Sequence, residues 1–227
     1  MSHVRVISAV VAVTAASSLA QAGIVNPLVP SWRGQSNTMF MGWETFSVAY
    51  AGANAADMPG SSTLANLFNF GPGAILTAAP MPTGIYNATG PLSIMILGGV
   101  TSAPRNPTEV VMNLASAGTG ISNSSVALTL FDNAGNSRRI TPTLTSTRSS
   151  VPDGFGGTAI TTAFSWTVDP LAWNCTRWQI DFSSMAPHAI LDAVTLDLKL
   201  VPTPGALAVL AAFVGGTPRG RRRRDER

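Results

Sequence analysis

Hydrophobic and polar residues alternate along several short stretches of this chain, and the alternation predicts strands. In "AVTLDLKL", Val194, Leu196, Leu198 and Leu200 interleave with Thr195, Asp197 and Lys199, the period of two expected where one strand face meets a core and the other meets water. "RWQIDF" repeats the pattern, with Trp178, Ile180 and Phe182 on one side and Arg177, Gln179 and Asp181 on the other. Phe164, Trp166 and Val168 share a face in "TTAFSWTV", as do Val126, Leu128 and Leu130 in "SVALTLF". "EVVMNLA" and "LSIMIL" are apolar on both faces, which suits strands in the middle of a packed sheet.

Between these runs, "FDNAGNSRR", "VPDGFGG" and "SAPRNPT" supply the Gly, Pro, Asn and Asp that turns require. Helical periodicity is nearly absent. Short strands joined by turns, without helical spacers, predict an all-β fold: an antiparallel β-sandwich of jelly-roll type. Residues 23 to about 73 are less regular, and "STLANLF" within them is expected to form a helical turn or a loop packed over the sandwich. Nothing resembling a repeat or a long linker divides the body, so residues 23–200 are assigned to one domain, large enough to bury roughly 70% of its unfolded surface.

The ends differ from the body. Met1 to Arg5 is mildly basic, Val6 to Leu19 is rich in Val and Ala, and Ala20-Gln21-Ala22 has the small-x-small form that signal peptidase accepts. Residues 1–22 therefore read as a signal peptide cut between Ala22 and Gly23. Its apolar run, about 21 Å long as a helix, is short for a roughly 30 Å hydrocarbon core.

Charge is divided in the same way. From Gly23 to Pro202, six Arg and one Lys face nine acids, whereas the stretch beyond carries six Arg against Asp225 and Glu226. The pI of about 9.8 thus belongs to the tail. A folded nucleic-acid-binding domain normally carries its own basic stripe, so this composition argues against nucleic acid as a partner.

Candidate chemistry in the body is sparse. Cys175 is the sole cysteine, so no internal disulfide can form, and in "WNCTRW" it reads as a small buried apolar group. No Cys/His cluster suggests a metal, and no cofactor motif is present. His188 is the only histidine after residue 22, and no G-x-S-x-G elbow accompanies it; a surface or edge position is expected. Glu44 and Glu109 are the body's only glutamates, a thin supply for glycoside hydrolysis, which needs two carboxylates across the scissile bond. Trp43 and Phe46, on either side of Glu44, are spaced for packing against the sandwich. "DNAGN" at Asp132 to Asn136 offers oxygen ligands but lacks the length and closing Glu of a calcium loop, so a hairpin turn is expected. No catalytic residue is assigned. Sugar binding favours flat aromatic rings, and Trp32 and Trp173, both in loop-like sequence, are the candidates for it.

The C-terminal stretch "VPTPGALAVLAAFVGGTPRGRRRRDER" completes the reading. Its apolar run is about 16 Å long as a helix, too short to span a bilayer on its own, and the arginines beyond it would stay cytoplasmic. In this order, Val201, Pro202, Thr203 and Pro204, then Ala206 to Val214, then Arg221, Arg222, Arg223 and Arg224 resemble a PEP-CTERM sorting tail. Thr203 stands where such motifs most often carry Glu. The resemblance implies an exported bacterial protein of the cell surface, outer envelope or extracellular matrix. It also implies a short hydrophobic helix inserted transiently in the membrane, an exosortase-like processing enzyme as partner beside signal peptidase, and a setting rich in exopolysaccharide. The expected role of the body is non-catalytic, structural or weakly glycan-binding; the alternative is an enzyme acting on extracellular polysaccharide.

Overall fold

The computed structural model describes residues 23–59, 62–78, 84–99, 105–153, 157–169 and 175–202. In chain order the strands are β1 (Thr38–Trp43), β2 (Asn54–Ala56), β3 (Ser62–Asn69), β4 (Ala74–Thr77), β5 (Gly84–Asn87), β6 (Ser93–Gly99) and β7 (Arg105–Gly118). After a 3-10 turn at Asn123–Ser125 come β8 (Ala127–Asp132), β9 (Ser137–Ile140), β10 (Leu144–Pro152), β11 (Thr158–Thr167), β12 (Cys175–Ser183) and β13 (Ala189–Pro202). Among the described residues there is no α-helix.

The strands form two antiparallel sheets. The seven-stranded sheet runs β10-β11-β7-β13-β5-β4, with β1 joining β5 along the far edge of β13; the six-stranded sheet runs β2-β3-β6-β12-β8-β9. Taken in chain order, β5, β6, β7 and β8 alternate between the sheets, β9 stays with β8, and β11, β12 and β13 alternate again. That succession is the double Greek key of a jelly roll. The central strand β13 pairs with β7 along its length and with both β1 and β5 on its other edge.

Every alternating run identified in the sequence sends its expected residues into the core. Val194, Leu196, Leu198, Leu200, Phe164, Trp166 and Val168 come from the seven-stranded sheet and its flank, and meet Trp178, Ile180, Phe182, Leu128 and Leu130 from the other. Trp43 is fully buried and Phe46 packs at the core's edge. The indole N–H of Trp43 donates to the Asn54 carbonyl at 2.9 Å and that of Trp166 to the Ile140 carbonyl at 3.1 Å, so each large ring is buried with its polar atom paired. A Cβ at Gly98 would lie 2.1 Å from the Trp178 ring; only glycine allows that close approach.

Two expectations are corrected. "STLANLF" is strand β3, paired with β2 and β6, not a helical turn or loop: Ala65 and Leu67 face the core while Asn66 and Phe68 are only partly buried. "SAPRNPT" is not wholly a turn, because β7 begins at Arg105 and carries Pro107 opposite Leu200, beside a register shift. An irregularity at that point accommodates a residue without an N–H. A second shift, between Leu191 and Ala193, makes Asp192 an extra residue in β13. It changes the phase of the core positions from Ala189 and Leu191 to Val194 and Leu196.

Candidate functional site

The two sheets expose very different outer faces, and the residues that could carry function divide between them. On the seven-stranded sheet, positions that alternate out of the core are polar yet buried: Asn113, Thr161, Thr195 and Asp197. What covers them is the irregular segment from Gly23 to Asn37, here called the arm. The Asn26 side chain and the Arg148 guanidinium each donate to the other's backbone carbonyl at 3.1 Å. Val25 N–H donates to Thr161 Oγ1 at 3.0 Å, and Leu28 N–H donates to Asn113 Oδ1 at 2.6 Å. Asn113 Nδ2 in turn donates to the Leu28 carbonyl at 3.1 Å. The arm thus starts over β11 and β10 and then crosses β7 toward β13, its main chain bonded to side chains of the sheet's outer face.

Toward its end the arm is held by charge. Arg33 donates through Nε and Nη2 to the two Asp197 oxygens at 2.6 and 2.7 Å, and its guanidinium lies 4.1 Å from the Phe40 ring centroid. Burial pushes the Asp197 carboxyl above its ordinary range, and the Arg33 hydrogen bonds and charge pull the other way. Glu109 is bonded twice, by Lys199 Nζ at 2.6 Å and by the Trp32 indole N–H at 2.9 Å; the Lys199 bond is the main reason its pKa is lowered.

Near the start of the arm sits a different carboxyl. Asp192 is 2% exposed, and both of its oxygens lack a hydrogen-bond partner. It lines a cavity of about 40 Å³ together with Gly23, Val25, Ser116, Ser149 and Thr161. Burial, and secondarily the charge of Glu44, push it up to about 7. A raised acid with a second carboxylate nearby is the kind of pair glycoside hydrolysis uses. Yet the cavity is far smaller than the roughly 300 Å³ or more of small-molecule sites, and it lies under the arm.

Among the described residues, the six-stranded sheet has no such cover. Its outward positions include Phe68, Met95, Leu97, Phe131, Arg177, Gln179 and Asp181, all partly or fully exposed. Phe68 stacks on Phe70 with ring centroids 6.0 Å apart and planes within 10°, and Phe70 is 45% exposed. Arg177 lies 4.2 Å over the Phe131 ring, and Gln179 Nε2 donates to both Asp181 oxygens at 2.8 and 2.9 Å. Phe68 registers with Met95, Met95 with Asp181, and Asp181 with Ala127 of β8, the strand that bears Phe131. Phe131 is four residues along β8 from Ala127, so the two aromatic groups stand about three strand spacings across and about 13 Å along the sheet from one another, about 19 Å apart. A groove of about 440 Å³ with mixed walls opens elsewhere, lined by Ile121, Asn123, Ser124, Thr147, Ile160 and Met185 among others.

Several sequence candidates are placed differently from what a ligand site needs. Trp32 is only 7% exposed and its N–H is taken by Glu109, so the ring anchors the arm and offers no platform for sugar; this corrects its candidacy. Trp173 lies outside the described residues, as do Ala22, Thr203, Pro204, Arg221, Arg222, Arg223, Arg224 and the expected C-terminal helix. Of the motif, Val201 and Pro202 end β13 opposite Asn106 and Arg105, so the sandwich extends two residues past the expected boundary at 200. His188 is exposed on the turn before β13, with Nδ1 2.8 Å from the Tyr86 hydroxyl. Cys175 is buried, and burial pushes its thiol up. Asp132 accepts from the Ala134 and Asn136 N–H groups at 2.9 and 2.8 Å, closing the β8–β9 hairpin turn. The face bearing Phe68 and Phe70 has no signal in the sequence, because the alternation in β3 is too weak to mark a strand.

No protein-family model matches the chain, and no curated protein matches it. Among solved structures it has a distant likeness to the enzymatically active domain of tailspike protein 4 from Bacteriophage CBA120. The identity is 12% and the TM-score 0.25, over 78% of this chain and 21% of that one.

Proposed function

We propose that this is an exported bacterial envelope or matrix protein, sorted through its C-terminal tail, whose jelly roll holds polysaccharide weakly and without catalysis on the open face of the six-stranded sheet. The observation that carries the binding part is the pair of near-parallel rings of Phe68 and Phe70 on a face that no described residue covers, with Asp181 in register with Phe68 across Met95 and Gln179 and Arg177 further along the same strand. Aromatic faces take the apolar faces of sugars, and neighbouring polar groups take the hydroxyls. The non-catalytic part is supported by how the acids are used: Glu109 and Asp197 are ion-paired and Asp192 is roofed by the arm.

The sorting part rests on the succession of motif, apolar run and arginines in the sequence from Val201 to Arg224. A cut after β13 would leave the sandwich whole, since the core ends at Leu200. Changing Arg221 to Arg224 to Ala is expected to let the tail slip through the membrane and release uncut protein, because the positive charges hold the motif at the outer face.

The direct test of function is a glycan-array and hydrolysis screen of residues 23–202. Retention on extended polysaccharide, weakened by Phe70→Ala and unaccompanied by chain shortening, is the expected result. Shortened polysaccharide, or retention indifferent to Phe68 and Phe70, overturns the reading.

A further inference from the structure

Asp192 stands at the irregularity in β13 as a buried carboxyl without a hydrogen-bond partner. A buried acid left unpaired is costly, and the arm comes close to it. Val25 is pinned by its bond to Thr161 at 3.0 Å, and Gly23, two residues earlier and so within about 7 Å of chain, lines the same cavity as Asp192. Nothing lies within 4 Å of where a Cβ on Gly23 would sit, so that residue has room to turn.

We propose that when the chain is cut before Gly23, the new α-ammonium group enters this cavity and pairs with the Asp192 carboxylate, so that removal of the signal peptide fastens the arm to the sheet. The inference rests on the reading of Ala22–Gly23 as the cleavage site. Hydrolysis of that bond places the hydroxyl of water on the Ala22 carbonyl carbon and its hydrogen on the Gly23 nitrogen, which gains a further proton near neutral pH. Before the cut the same nitrogen is an uncharged amide with one N–H.

The cavity suits the product. An ammonium carries three donors; Asp192 supplies the opposite charge, and the hydroxyls of Ser116, Ser149 and Thr161 line the same space. Glu44 is the other charged group acting on Asp192, and its negative charge also favours an ammonium there. In the uncut chain burial pushes the Asp192 carboxyl up to about 7; an adjacent ammonium would favour its ionised form.

The test uses the chain from Gly23 to Arg227 with a free amine or with the amine acetylated, each with Asp192 and with Asp192→Asn. Acetylation is expected to raise the unfolding equilibrium constant at least about tenfold in the Asp192 chain and to change it less than about twofold in Asp192→Asn. Acylation of the Gly23 amine by an activated ester at neutral pH should be about tenfold slower in the folded Asp192 chain than in the same chain in urea, a reference that needs no substitution. Equal effects of acetylation in both backgrounds, or equal acylation rates folded and unfolded, overturn the pairing. Because the N-terminus is fixed in these chains, the outcome does not depend on where signal peptidase cuts; the first residue of the exported protein reports that separately.

Discussion

The outer faces of the two sheets carry similar chemistry in opposite conditions. Arg33 and Arg177 both lie over a phenylalanine ring, at 4.1 and 4.2 Å, and each face also carries an outward aspartate, Asp197 paired with Arg33 and Asp181 four residues along the strand from Arg177. On the closed face the Asp197 side chain is 0% exposed and bonded through both oxygens. On the open face Asp181 keeps contact with water and is bonded by Gln179, not by arginine. The difference is the arm. A chain segment without regular structure of its own converts one sheet face into a polar interior and leaves the other available for contact with something outside the molecule.

The comparison is broken most severely at Arg33. Replacing it with Ala leaves Asp197 buried and unpaired, and a loss of about 3 to 5 kcal/mol in urea unfolding is expected. Asp192→Asn sharpens the comparison through pH. In the chain with an acetylated Gly23, the Asp192 carboxyl is pushed up to about 7, so the folded state holds a proton that the unfolded state has lost above about pH 4. Stability should therefore fall between about pH 4 and about pH 7, by on the order of 4 kcal/mol. Asp192→Asn should remove that part of the slope, read as the difference between the two unfolding profiles.

Asn113→Ala removes both bonds to Leu28 and a third to Thr195. About 2 kcal/mol is expected, together with faster hydrogen exchange at the Leu28 amide. The matching change on the open face, Arg177→Ala, should cost less than about 1 kcal/mol, since it removes only an exposed cation–ring contact. Phe70→Ala should likewise leave the melting temperature nearly unchanged while weakening retention on polysaccharide.

The open face was only partly legible in the sequence. The inward set Trp178, Ile180 and Phe182 places Arg177, Gln179 and Asp181 outward from the pattern alone. Phe68 and Phe70 carry no such signal, because β3 puts Ala65 and Leu67 inside and Asn66 and Phe68 outside, a contrast too weak to reveal a period of two. The closed face was legible as a hint alone. "EVVMNLA" read correctly as a strand buried on both sides, but Asn113 within it implied a polar partner that no local pattern could identify, since Leu28 is 85 residues away. Trp32 shows the same limit: loop-like sequence does not distinguish a ring that anchors a loop from one presented to a ligand. Asp192 was hidden by the change of phase in "ILDAV", where the extra residue moves the core positions from odd to even numbers.

The account joins these faces to export: the arm would begin at a freshly cut Gly23, and the tail would be removed just beyond the strand that ends at Pro202. Mass spectrometry of the protein recovered from the surface of its host reads both ends at once. The expected chain starts at Gly23 and lacks the peptides beyond the Pro202 to Pro204 region. A recovered chain that begins at Met1, or retains C-terminal peptides ending at Arg227, would contradict it.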